Sequence, residues 1–229
     1  MATSNSTNFN LNARQVIEYA LRKINVLAKG QSPEAEDTDA ALLELNTLLK
    51  EWQRYAQIWR LKEGFINMVA NQQGFNLNPR PHRVVDMRFR DSDGIDIPMH
   101  YLARQEYYDL PDKGVTGVPT QFYFDPQRAT SVIFIWPVAA TVTTETLRVT
   151  FQRRYEDVDD LSNDLDVDQE HLATVGMNLA ARLADDYGRT GAHIDRLVQR
   201  AALLEDRMRD FDRPEIIRMV PETRYGYRG

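Results

Sequence analysis

Cysteine is absent from the sequence. That excludes disulfide staples, thiol nucleophiles and zinc–thiolate sites together. Histidine is scarce. His82, His100, His171 and His193 are isolated, with no second ligand at i+3 or i+4, so no metal centre with three or four convergent ligands is expected from them. No apolar run approaches the roughly 18 residues of a membrane span. Positive charge is also in deficit, 28 Lys and Arg against 34 Asp and Glu for a net −6, which argues against a dedicated nucleic-acid binder. Gly114-Val115-Thr116-Gly117 is too short for a phosphate-binding loop and lacks the following lysine. No Gly-X-Ser-X-Gly elbow occurs. No catalytic residue, metal ligand or cofactor is therefore expected.

What is present is enough for a packed core: 229 residues, 42% of them hydrophobic, in one domain or two small ones. The clearest pattern lies between Pro119 and Tyr155. Phe122 and Phe124, then Val132, Phe134 and Trp136, then Leu147, Val149 and Phe151 recur at every second residue. Period two predicts three successive β-strands, each with one buried face. Asp125-Pro126 and Ala139-Ala140 supply the breaks.

Residues 1–10 read as a flexible arm. The Ser/Thr/Asn-rich stretch Met1–Phe9 lacks the charged and apolar regions of a signal peptide. From Leu11, Val16, Ile17, Ala20, Leu21, Ile24 and Leu27 lie at helical spacing, with Gly30 as the stop. A second helix begins at Ser32 or after Thr38 and carries Leu42, Leu45, Leu48, Leu49, Trp52, Tyr55 and Trp59 on one stripe. Two helices joined by a short loop predict an antiparallel hairpin. Phe65–Ala70 and Phe75–Leu77 read as a strand pair. A hairpin around Asp91-Ser92-Asp93-Gly94 has Val85, Met87 and Phe89 facing inward, then Ile95, Ile97, Met99 and Tyr101. Pro98 marks the second arm as an edge or bulged strand. Arg104–Leu110 fits one helical turn. Behind the sheet, Leu172, Val175, Leu179, Ala180 and Leu183 form one helical stripe ended by Gly188. Ile194, Leu197, Val198, Ala201, Leu204, Met208 and Phe211 form another, stopped by Pro214.

The expected fold class is α+β. Helix pairs at 11–60 and 167–212 form one bundle, an antiparallel β domain at 61–156 (sandwich or small barrel) is inserted between them, and an extended tail covers 213–229.

Three features invite a functional reading. Between Glu156 and Glu170 there are eight acids and no Lys or Arg. A calcium loop needs a central glycine and a closing glutamate at fixed spacing. The glycine is missing, so a solvated acidic loop capping the next helix is expected. The aromatics Phe122, Tyr123, Phe124, Phe134 and Trp136 could stack on sugars or bases, but alternating rings on strands are expected to be core. The tail mixes Ile216, Ile217, Met219, Val220, Tyr225 and Tyr227 with four arginines. Those residue types are enriched at interface hot spots, which makes Ile216, Ile217, Arg218, Met219, Val220, Arg224, Tyr225 and Tyr227 the candidate partner-binding residues.

The order of elements and several phrases resemble one family. They are Leu45-Asn46-Thr47-Leu48-Leu49-Lys50-Glu51-Trp52-Gln53, Trp59-Arg60-Leu61, Asn78-Pro79-Arg80-Pro81, Arg104 to Pro111, Gly117-Val118-Pro119-Thr120-Gln121-Phe122-Tyr123-Phe124-Asp125-Pro126, Ile135-Trp136-Pro137, Asn178 to Ala184, and Tyr187-Gly188. Together they are similar to the head-to-tail adaptor proteins of short-tailed bacteriophages, also called tail accessory or packaged-DNA-stabilisation proteins. The phrases span about Leu42 to Gly188 and are structural rather than catalytic. The acidic stretch and the tail match least.

The resemblance implies a virion structural protein and no enzyme. Such proteins form a ring, typically of twelve copies, that docks under the portal protein after DNA packaging, extends the channel, and carries the tail nozzle and fibres or spikes. The bundle and the C-terminal extension would contact the portal, and the β region the distal tail parts. DNA would pass without sequence-specific binding, and no membrane or cofactor is implied. Other readings are the tubular tail ring protein of another short-tailed phage type, a carbohydrate-active or carbohydrate-binding β domain, and a regulatory adaptor that forms no ring.

Overall fold

A computed structural model describes residues 5–55, 58–128 and 130–211. The chain runs through five helices and eight strands: α1 (Ala13–Lys23), α2 (Ala35–Trp52), β1 (Leu61–Asn67), β2 (Gly74–Leu77), β3 (Arg83–Arg90), β4 (Asp96–Pro98), β5 (His100–Tyr101), α3 (Arg104–Tyr108), β6 (Gln121–Pro126), β7 (Ser131–Trp136), β8 (Thr146–Gln152), α4 (Leu172–Asp186) and α5 (Ala192–Phe211). The fold is α+β, as expected. The strands form two four-stranded sheets, β1-β8-β3-β4 and β2-β7-β6-β5, with no closed barrel among the described residues.

The helical core is organised on α4, which packs against α1, α2 and α5. Its N-terminal half is buried nearly all round, from Leu172 through Val175, Gly176 and Leu179, so its residues face several neighbours rather than one. Gly176 lies against the Tyr19 ring, where an added Cβ would sit 2.7 Å from Cδ1; the missing side chain sets how closely α1 approaches. α1 starts on a capping box: the Asn12 side chain accepts from Gln15 N–H at 3.0 Å, and Gln15 Oε1 accepts from Asn12 N–H at 3.1 Å. The helix ends at Lys23, earlier than its apolar spacing suggests, because Asn25 takes a left-handed conformation with φ 56°. α2 stops at Trp52, so Trp59 is not on its stripe but in a 3₁₀ turn at Ile58–Arg60. The start of α2 at Ala35, after Glu34, uses no side-chain cap.

The second core fills the space between the sheets with Phe75, Met87, Phe89, Phe122, Phe124, Ile133, Ile135, Leu147 and Val149. Four details differ from the strand pattern read in the sequence. First, the three clear strands do not share a sheet. β6 and β7 form a hairpin in one, while β8 lies between β1 and β3 in the other. Second, β7 buries Ser131, Ile133 and Ile135 toward the sandwich, and Val132, Phe134 and Trp136 lie on the opposite, half-buried face. That face is covered in turn: Phe134 packs at 5.2 Å from the ring of Tyr107 on α3. Third, a register shift between Val84 and Asp86 leaves Val85 exposed, with Met87 and Phe89 still inside. Fourth, the strand around Pro98 is two pieces. The chain leaves the first sheet after β4, and β5 pairs in parallel with β6 in the second.

Candidate functional site

The eight tail residues singled out as partner-binding, Ile216 to Tyr227, lie outside the described residues. The histidines are dispersed. His171 is buried at the start of α4, His100 is exposed on β5, and His193 contacts the Lys23 carbonyl at 2.8 Å. Among the described residues no group of three His, Asp or Glu is placed to hold a metal ion. No helix among them is long and apolar enough to cross a membrane.

The aromatics are packed. Phe122 and Phe124 point into the sandwich, and Tyr123 is buried beneath α3, its ring stacked at 5.1 Å on Tyr107. Burial raises the Tyr123 and Tyr107 hydroxyl pKa values. Trp136 donates its Nε1–H to the Asp112 carbonyl at 3.0 Å. This cluster holds α3 on the sheet and offers no open ring platform.

Seven of the eight acids are exposed and Asp168 caps the turn before α4, as expected of a solvated capping loop, but the stretch is also anchored by apolar residues. Val158, Leu165 and Val167 are buried in the helical core. Ala13 N–H and Arg14 N–H donate to the carbonyls of Asn163 and Leu161 at 2.9 and 3.0 Å, so the strap is tied to the start of α1. Its acids have local tasks. Asp160 accepts from Ser162, Asp168 caps the turn before α4, and Asp166 accepts a two-pronged pair from Arg153 together with Glu156 N–H. Burial alone would raise the Asp166 carboxyl. The guanidinium and the N–H outweigh it and hold the carboxyl below the usual aspartate value.

The two cores meet at Arg60, whose side chain is fully buried. Its Nε and Nη2 donate to the Arg153 carbonyl at 3.0 and 2.7 Å, and Nη1 donates to the Gln53 carbonyl at 3.1 Å. The guanidinium lies 4.5 Å from the Tyr155 ring centroid. Gln152 at the end of β8 donates to the Tyr55 carbonyl at 2.9 Å. Asn46 on α2 clamps Val158 from both sides, donating to its carbonyl at 2.8 Å and accepting its N–H at 2.9 Å. Lys50 donates to the Tyr155 carbonyl at 2.9 Å. One arginine, two amides and one lysine thus close the backbone polar groups where helix gives way to sheet. Asn46, Lys50 and Arg60 stand inside the phrases on which the resemblance rested but had no role assigned from sequence. The available signal was a lone arginine between Trp59 and Leu61, in an apolar setting where an unpaired charge is not tolerated.

No family model matches the sequence, and no curated protein matches it. Among solved structures, the chain is similar to one from the neck of an empty gene transfer agent (GTA) particle computed with C6 symmetry. The match has 14% identity and a TM-score of 0.30, and covers 82% of this chain and 93% of that one. A superposition this loose carries no argument about function.

Proposed function

We propose that the chain is a structural component of a phage virion, a head-to-tail adaptor that joins a ring, typically of twelve copies, beneath the portal. It extends the DNA channel there and supports the nozzle and fibres, with no catalytic role. The observation that carries the reading is where the phrases behind the resemblance fall. Asn46, Lys50 and Arg60 belong to two of them and build the joint between the cores. Asn178 belongs to a third; it is buried on α4 and donates to the Ala201 carbonyl of α5 at 3.3 Å. Gly117 to Pro126 and Ile135 to Pro137 include β6 and the end of β7. The phrases therefore coincide with the residues that set the relative placement of helices and sheets, as a part that must fit a ring requires.

Large apolar side chains are exposed at Leu43 on α2, Val198 and Leu203 on α5, and Phe65 on β1. Repeated contacts around a ring add up even when each is weak. The tail from Arg213 is assigned the portal contact. The test is to mix the purified chain with the portal protein of the same phage and image the product by electron microscopy. A closed ring on the portal is expected with the full chain and none with residues 213–229 removed, both proteins giving the same circular dichroism. Unimpaired docking of the shortened chain removes the tail from the reading. No docking by either removes the adaptor.

A further inference from the structure

β1 is the outer strand of its sheet. It pairs with β8 along all seven residues from Leu61 to Asn67, and among the described residues no strand lies on its other side. An unpaired edge of this length, about 23 Å at roughly 3.3 Å per residue, presents a row of free backbone groups. Its side chains divide by parity. Glu63 and Phe65 share the face with Arg88 and Arg148, through a 2.8 Å ion pair and a cation–ring contact at 5.6 Å. Lys62, Gly64 and Ile66 take the opposite face, where two grooves open. The larger, about 830 Å³, includes Lys62, Arg80 and Arg154. The smaller, about 230 Å³, is lined by Gly64, Ile66, Leu77 and Val149. Asn78, Pro79, Pro81 and Phe151 line both, so the two are continuous.

The larger groove is short of negative charge where its cations converge. Among the described residues, Lys62, Arg80 and Arg154 have no carboxylate at ion-pair distance; Lys50 engages Asp157, and Arg153 engages Asp166. Arg80 donates only to the Arg128 carbonyl, at 3.4 Å, and its Nε is buried without a partner. Burial and then the charge of Arg80 push the Arg154 guanidinium down, with Asp157 acting against them without reversing the shift. Beside them, burial and then Arg60, Arg154, Arg83 and Arg80 lower the His82 pKa. In a chain of net charge −6, this is a local excess of positive charge waiting for an anion.

We propose that the free edge of β1 receives an extended segment of a partner protein as a fifth strand, with a carboxylate against Lys62, Arg80 and Arg154 and an apolar side chain two residues away over Gly64 and Ile66. Backbone pairing supplies affinity and the two grooves supply specificity, as in other strand additions. An arginine pair suits a carboxylate because it can grip both oxygens. Glu156, Asp157 and Asp159 also line the larger groove, so it has room for one carboxylate at Lys62, Arg80 and Arg154 but not for the successive phosphates of a nucleic acid, which would run past those acids.

The test uses the full chain and fluorescein-labelled peptides built on Glu-Ser-Val-Ser-Val and on its reverse, followed by anisotropy. One orientation binds. Exchanging its Glu for Lys, or introducing Arg80→Ala with Arg154→Ala, weakens binding by at least about tenfold, with circular dichroism unchanged; Lys62→Glu gives an independent second variant. N-methylation of alternate peptide amides abolishes binding for one set of positions and spares the other, because only one set faces the edge. The bound carboxylate also moves the His82 titration, followed by NMR, to higher pH. The proposal is overturned by no binding, by indifference to both methylation sets, or by tighter binding of an oligothymidylate. It is overturned equally if the β1 amides that face away from β8 are already protected from hydrogen exchange in the free protein, either in proportion to its concentration (a second copy) or in a manner lost on Ile216→Asp with Val220→Asp (its own tail).

Discussion

Replacing Arg60 with methionine tests the joint between the two cores. The side chain is fully buried and donates to the carbonyl oxygens of Arg153 and Gln53, which depend on it, and at 3.5 Å to that of Tyr55, which also accepts from Gln152. Methionine keeps most of the volume and removes every donor. Each orphaned carbonyl costs about 1–3 kcal/mol, and the lost stacking on Tyr155 adds about 1 kcal/mol. Relief from burying a charge offsets part of this, leaving a net loss of about 4 kcal/mol. For a chain of this size, with a urea slope of about 3 kcal/mol/M, the midpoint falls by roughly 1.3 M. Arg60→Lys falls between, since an ammonium keeps the charge but cannot span both carbonyls with a planar fork. Unfolding should be followed by far-UV circular dichroism, which weights the helices, and by tryptophan fluorescence. The two curves coincide in the parent protein and separate in Arg60→Met if this residue couples the cores. A midpoint within about 0.3 M of the parent, with both curves still superposed, would refute the reasoning.

Gly176→Ala forces a Cβ against the Tyr19 ring and should cost about 1–3 kcal/mol as an overpacking defect; thermal unfolding measures it, and Tyr19→Ala in the same background should recover part of the loss. Because the Asp166 carboxyl titrates below its unfolded value of about 3.9, its stabilisation is complete above that pH and is lost as pH falls through the lowered folded value. Asp166→Asn should therefore lower stability at neutral pH and flatten the acid limb of a stability–pH curve. The Tyr187 hydroxyl donates to Asp37 at 2.5 Å and is pushed up to about 12, by burial first and then by that carboxylate. Ultraviolet titration should show a late-ionising fraction to which Tyr107, Tyr123 and Tyr187 contribute, and Asp37→Asn should shrink it by one tyrosine.

Much of this architecture is legible in the sequence, for reasons that also mark the limit. α4 and α5 each present apolar residues at helical spacing, and Gly188 closes the first with a left-handed φ of 58°. Alternation found β6, β7 and β8 but misjudged which face of β7 enters the sandwich. Its other face is apolar too and lies under Tyr107, so parity alone cannot rank two covered faces. Pro98 marked β4 as the edge strand it is, but the move of β5 to the other sheet left no local trace, since it depends on which sheet accepts each pair. Composition was right that the acids of the strap are solvated, seven of the eight being exposed, but it gave no sign of Val158, Leu165 and Val167, whose burial follows from α1 and α4 being beside them. The tail residues that the sequence singled out lie outside the described residues. The junction at Arg60 and the edge of β1 arise only when distant segments converge.

The packing of α1 on α4 has a consequence for the order in which the protein can be made. Some 150 residues separate these helices, and the whole sheet region is synthesised between them. Until α4 leaves the ribosome, the faces carrying Val16, Ile17 and Leu21 on α1, and Leu45 and Leu48 on α2, lack their main partner. Non-local contacts of this kind slow folding and leave apolar surface open in the interval. The sheets, complete once β8 emerges, can close first. A chain terminated after β8 should therefore hold a folded sandwich beside two sticky helices, and aggregate through the helices.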